Sequence, residues 1–178
     1  ATELLQQLIR IPSVNPHADP GTPHIGEQAI ASWLAQWLRV EFPGAIVELQ
    51  QVRPSRPNVI PRFPADRPKK PRVLFAPHTD TVSVFGMSIA PFGAEIPDGR
   101  IYGRGASDTK GSMAAMLWAL RENRHRLPGL SHEIWFAGLM GEETGQHGSK
   151  ALAAAEPFHF VLPGEPTQLN TLYTHKGC

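Results

Sequence analysis

Four short stretches put acids and a histidine where chemistry can happen. The first is HTD, with His78 and Asp80 two residues apart. In an extended chain, residues i and i+2 point to the same side. Asp80 can then take the proton of one ring nitrogen of His78, which fixes the tautomer and turns the other nitrogen toward a metal. A plain His–Asp hydrogen bond is the competing reading. The second stretch, GLMGEETGQHG, sets Glu142 and Glu143 side by side after an apolar run. Like charges this close disfavour each other's ionised form, so a counter-charge must hold them or one must stay protonated. The third, GRGASDTKG, carries Asp108 on a glycine-rich turn. It lacks the phosphate-loop pattern and the third glycine of the dinucleotide fingerprint. Its competing reading is a helix cap. The fourth, GEPT, brings Glu165, with an exposed loop glutamate as the alternative.

The elements that must position these groups follow from hydrophobic spacing. ELLQQLIRI has a helical apolar pattern that Pro12 ends. Thr22 with Pro23 reads as the N-cap and first position of a second helix, with Ile25, Ile30, Trp33, Leu34, Trp37 and Leu38 as its stripe. AIVELQQV alternates like a half-buried strand. NVIPRF is a further strand, where Pro61 suggests a sheet edge. RVLFAP reads as a central strand, and residues 92–104 as a hairpin-like piece turning at Pro97-Asp98-Gly99. A third helix runs from Gly111 to Leu127 on Met113, Met116, Leu117 and Leu120. HEIWFAGLM is a strand, Ser149 to Ala155 a short helix, and FHFVLPG and TLYTHKG are the last strand candidates. Strands alternating with helices predict an α/β layered domain, a largely parallel central sheet flanked by helices. Sites in such sheets gather beyond the carboxyl ends of the strands. His78 with Asp80, then Glu142 with Glu143, then Glu165 each follow an apolar strand directly.

Composition narrows the function classes. Seventeen Lys and Arg against sixteen Asp and Glu give a net charge of +1. No basic stripe is interleaved with aromatics, which argues against nucleic acid. The basic stretch FPADRPKKPR reads as a solvated loop. No apolar run approaches the ~20 residues of a membrane span. The one cysteine, Cys178, cannot form an intrachain disulfide. These features point to a soluble, cytoplasmic protein.

HTDTV, PFGAEIPDGRIYGRGASDTKGSMAAML, GEETG and GEPT, in that order, resemble the M20 metallopeptidase family. That family includes acetylornithine deacetylase, succinyl-diaminopimelate desuccinylase, aminoacylase and glutamate carboxypeptidases. The resemblance implies a zinc-exopeptidase-like fold and two divalent metal ions, Zn²⁺ or else Co²⁺ or Mn²⁺. His78 and Glu165 resemble ligands of the first ion, Glu143 a ligand of the second, and Asp108 the bridging carboxylate. Glu142 resembles the general base, and Asp80 the catalytic aspartate behind His78. The ions would supply the counter-charge that Glu142 and Glu143 need. Divalent ions can also lower the pKa of water to about 7, which gives a nucleophile at neutral pH.

The resemblance further implies a histidine ligand from far downstream, a dimerising lid and a final part of the catalytic domain. The chain stops at THKGC, so residues 1–178 are expected to be the N-terminal part of a catalytic domain, with one metal position filled better than two and little turnover. His147, His159 and His175 read as ordinary loop or strand histidines, not replacements for the distal ligand. The expected reaction is hydrolysis of an N-acyl amino acid, as in the deacetylase and desuccinylase branch. A carboxypeptidase or dipeptidase is the enzymatic alternative, and a non-catalytic relative the alternative of another class. The resemblance implies a homodimer through the lid for the full-length protein. No residue can be assigned to substrate binding.

Overall fold

The helical stripes read from the sequence become the larger core. α1 (Thr2–Ile9) buries Leu4, Leu8 and Ile9. α2 (Gln28–Glu41) turns Ile30, Leu34 and Leu38 inward, and α3 (Lys110–Glu122) turns Met113, Leu117 and Leu120. They meet Val59 and Phe136 of the sheet, and each fully buried side chain of this size contributes about 1.5–3 kcal/mol. In this computed structural model, residues 1–19, 22–63, 71–168 and 170 are described. The strand candidate TLYTHKG, His175, Cys178 and most of the basic stretch fall outside them.

Five strands form one sheet in the order β1-β2-β4-β3-β5. They are β1 (Ile46–Arg53), β2 (Arg56–Arg62), β3 (Arg72–Phe75), β4 (Glu133–Phe136) and β5 (Phe160–Leu162). β3 pairs in parallel with both β4 and β5. The flank made by β1, β2 and β4 is antiparallel. α4 (His147–Ala155) covers the other face of the sheet, where Leu152 packs with Ile60, Leu74 and Trp135. The result is helices on both sides of a sheet whose centre is parallel.

Three expectations are corrected. The second helix begins at Gln28, after an N-cap at Glu27, and not at Thr22. Residues 24–26 instead run beside Val14: the Val14 N–H donates to His24 O, and the Gly26 N–H donates to Val14 O. The Thr22 hydroxyl accepts from the His24 N–H, so it closes a turn. Pro61 does not lie on an edge, because β2 sits between β1 and β4. Val59 exchanges both bonds with Gly138, and alternate nitrogens point the same way. The Pro61 nitrogen therefore faces the thin part of the β2–β4 ladder, which needs no donor there. The third helix ends at Glu122, five residues early: the Asn123 N–H still reaches Ala119 O, but after it the bonds tighten into turns, Arg124 N–H to Arg121 O and Arg126 N–H to Asn123 O.

The chain keeps its parallel order past the strands. The Thr79 N–H donates to Leu139 O, and the Leu139 N–H to Pro77 O. Residues 76–80 and 137–140 therefore run side by side to the same rim, and β5 delivers residues 163–165 on the other flank of β3.

Candidate metal centre

At that rim three donors converge. One ring nitrogen of His78 and one oxygen each of Asp108 and Glu165 lie within 4.8 Å of one another. His78 Nε2 is 2.9 Å from Asp108 Oδ1 and 4.0 Å from Glu165 Oε1. The imidazole is buried, while Asp108 and Glu165 are exposed. Among the described residues this is the one such group, and Glu143 is not in it.

Each donor has a definite mount. His78 and Asp80 end the extension of β3. His78 Nδ1 lies 2.9 Å from the main-chain oxygen of Asp80 and 3.4 Å from its Oδ1. The carbonyl therefore takes the shorter bond, where the carboxylate was expected to. This fixes Nδ1 as a donor and turns Nε2 toward Asp108 and Glu165. Asp108 directly precedes Thr109, the N-cap of α3, and Thr109 makes no side-chain cap bond. Asp108 is thus committed to His78 instead of the helix. Gly105 shapes the turn before it. Its φ of +80° is one that side chains avoid, and a Cβ would lie 2.9 Å from Thr81 Cγ2. The Glu165 loop is tied to α3 by the Thr109 hydroxyl, which donates to Gly164 O at 2.7 Å, and by that of Ser112 on the same oxygen.

Glu142 and Glu143 are held by their backbone. Their N–H groups donate to Asp80 Oδ1 and Oδ2 at 3.0 and 3.1 Å. Asn15 donates to the same Oδ2 at 2.7 Å. One buried carboxylate therefore stations both glutamates. Sequence reasoning did not find this link, nor the parts played by Asn15, Glu27, Arg56, Asn58 and Lys110, since no spacing joins residues so far apart. His147 opens α4, where it faces Arg53 at 3.5 Å, and the His159 ring accepts from the Arg72 N–H. Neither joins the donor group.

The electrostatics follow from burial and crowded acids. Burial lowers the His78 pKa, but bonds to Asp108 and Asp80 outweigh it and push the ring up to about 11. Burial raises Asp80, yet the bonds from His78 and Asn15 hold it below the usual carboxylate range. Glu143 is pushed up to about 7, first by burial and then by the charges of Asp108, Asp80 and Glu142, against the pull of His78. Burial lowers the Lys110 amine to about 7, and its Nζ donates to Ile11 O at 2.7 Å. The site thus concentrates negative charge around one imidazole. A cavity of about 850 Å³ opens beside it, with His78, Glu142 and Glu165 on one wall and Leu74, Leu139 and Phe158 among its apolar lining.

Residues 74–175 match the sequence profile of Peptidase family M20/M25/M40. The chain is 36% identical over 180 residues to a succinyl-diaminopimelate desuccinylase of Caulobacter sp., covering 95% of this chain and 41% of that protein. It is 32% identical over 181 residues to an acetylornithine deacetylase of Proteus mirabilis, covering 98% and 44%. Among solved structures it resembles an M20 family metallo-carboxypeptidase, Sso-CP2, from Sulfolobus solfataricus. That match has a TM-score of 0.61 and 26% identity, and covers 75% of this chain and 29% of that one. The chain spans about two fifths of the length of the curated relatives it matches.

Proposed function

Because the chain belongs to Peptidase family M20/M25/M40, we propose that it carries the catalytic groups of a metal-dependent amide hydrolase that removes the acyl group from an N-acyl amino acid. The observation that carries this reading is the convergence of His78, Asp108 and Glu165 beside a cavity that Glu142 also lines. The donor set fits a divalent ion: one imidazole nitrogen and carboxylate oxygens, without thiolate, suit Zn²⁺ and are compatible with Co²⁺ or Mn²⁺. The excess of carboxylates around the site supports the same fit. His78 and Glu165 would hold a first ion, Glu143 a second, and Asp108 would bridge them. Bound divalent ions supply Lewis acidity, which acidifies water and polarises a carbonyl.

The protein's own groups do the rest. Glu142 is the proposed general base: it takes a proton from the attacking water and returns it to the leaving amine. Asp80 holds the His78 ring through its main-chain oxygen and holds Glu142 and Glu143 through their N–H groups. The apolar cavity wall limits water around the scissile amide. The named activities of the bacterial relatives, desuccinylase and deacetylase, support an acyl amino acid as substrate. A peptidase reading with the same site draws support from the carboxypeptidase structure. Given the relatives' greater length, residues 1–178 would be the N-terminal part of the catalytic domain, and the distal ligand, the lid and a homodimer contact would come from further chain.

The test uses the full-length protein. Metal analysis should return about two divalent ions per chain, and N-acetyl or N-succinyl amino acids should be hydrolysed faster than dipeptides. A Glu142→Gln variant should keep its metal and lose turnover. If that variant hydrolyses these substrates normally, or if dipeptides are the better substrates, the reading or its substrate assignment falls.

A further inference from the structure

Behind the two glutamates lies an ion pair that the proposed chemistry does not use. Glu27 precedes α2, and its side chain has no solvent exposure. Arg56, at the start of β2, grips it with two bonds, Nε to Oε2 at 2.6 Å and Nη2 to Oε1 at 2.7 Å. Glu27 Oε1 also accepts the N–H of Gly141 at 3.1 Å. One residue earlier, the Met140 N–H donates to Asn58 Oδ1 at 3.0 Å. With the two bonds to Asp80, four consecutive backbone N–H groups, from Met140 to Glu143, each end on a side-chain oxygen. The three acceptors come from separate parts of the chain: β2, the entry to α2 and the end of β3.

An exposed loop gives its N–H groups to water. This segment instead takes its path from oxygens that are themselves fixed. A buried ion pair is weak ground for stability, since apolar residues of similar volume often serve as well or better. Apolar residues, however, offer no acceptor to Gly141. Burial raises the Glu27 carboxyl pKa against the lowering by Arg56, so keeping an acid here runs against solvation. We propose that Glu27, held by Arg56, is a positioning residue for Glu142 and Glu143: it fixes the backbone one residue ahead of them, so that both are held at the rim where the donor group lies. This rests on the functional reading above.

The test removes the pair as a unit, so that no lone charge stays buried. In the full-length, metal-loaded enzyme, Glu27→Met with Arg56→Met should lower kcat by about 10–100-fold with KM little changed. Zn²⁺ affinity measured by chelator competition should fall by a similar factor. Glu27→Gln with Arg56→Met keeps an oxygen for the Gly141 N–H without a lone buried charge and should recover most of both. A folded double variant with the parent's kcat and Zn²⁺ affinity overturns the proposal. Amide hydrogen exchange on the unaltered protein decides the matter if the double variant does not fold. Protection of Gly141, Glu142 and Glu143 comparable to that of β3 and β4 is expected, and exchange as fast as in an exposed loop overturns it. Glu142→Gln run in parallel separates the two claims. If it keeps full turnover the functional reading fails, and if it loses turnover while the double variant loses nothing, only the positioning role fails.

Discussion

Asp80 and Glu142 are both acids at one site, yet they should fail in different ways. The Asp80 carboxylate accepts from two backbone N–H groups and from Asn15. An Asp80→Asn variant presents one oxygen and one NH₂, so either Glu142 or Glu143 loses its acceptor. The expected cost is about 1–3 kcal/mol of folding stability, read by denaturant unfolding, together with a loss of turnover. Glu142 lines the cavity, so Glu142→Gln should change stability by less than ~0.5 kcal/mol while turnover falls about 10²–10⁴-fold. Unfolding and kinetics measured on both variants check this separation. Legibility at this scale was uneven. The pairing of His78 with Asp80 shows in a spacing of two. The partners Glu142 and Asp80 lie 62 residues apart, and Glu27 lies 114 residues from Gly141. No local pattern marks such contacts, and a helix read from Thr22 places Glu27 inside it, where nothing sets it apart.

At the scale of elements, hydrophobic spacing located the helices and strands that frame the site, because most of them, though not β5, pack one face against the rest of the molecule. It failed where a backbone contact from elsewhere decided the outcome. The start of α2 was misplaced because residues 24–26 pair with Val14, a contact that no helical period shows. β2 was misread as an edge because the sequence shows only that Pro61 lacks a donor, not which neighbour that nitrogen faces. The seat of α4 was equally hidden. Gly148 gives its N–H to Met140 O and its carbonyl to Asn58 Nδ2. A Cβ there would collide with Asn58 Oδ1 and the Met140 backbone. Gly148→Ala should therefore cost about 1–3 kcal/mol by overpacking, although alanine favours helices. A thermal melt that rises on this substitution would show that α4 sits more loosely than the contacts state.

At the scale of the whole molecule, the helices on one face share a continuous core, while the opposite side of the sheet is less covered. β5 is the last strand of the described sheet, with Phe160 63%, Val161 52% and Leu162 44% exposed. Exposed apolar side chains grouped in this way favour association with another chain. The 178-residue chain should self-associate as its concentration rises, and Phe160→Lys should reduce the light scattering without lowering the melting temperature. The described residues contain no helix long and apolar enough to cross a membrane. His78 and Glu165 reach the donor group just after β3 and β5, while Asp108 comes just before α3, and His78 and Asp108 alone are 30 residues apart. An unfolded chain cannot hold those atoms within 4.8 Å. Ion binding is therefore coupled to the complete fold, and free Zn²⁺ at a hundred times its dissociation constant should add about 2.7 kcal/mol to stability. A chelator should lower the melting temperature reversibly, which makes the temperature of unfolding a gauge of how full the site is.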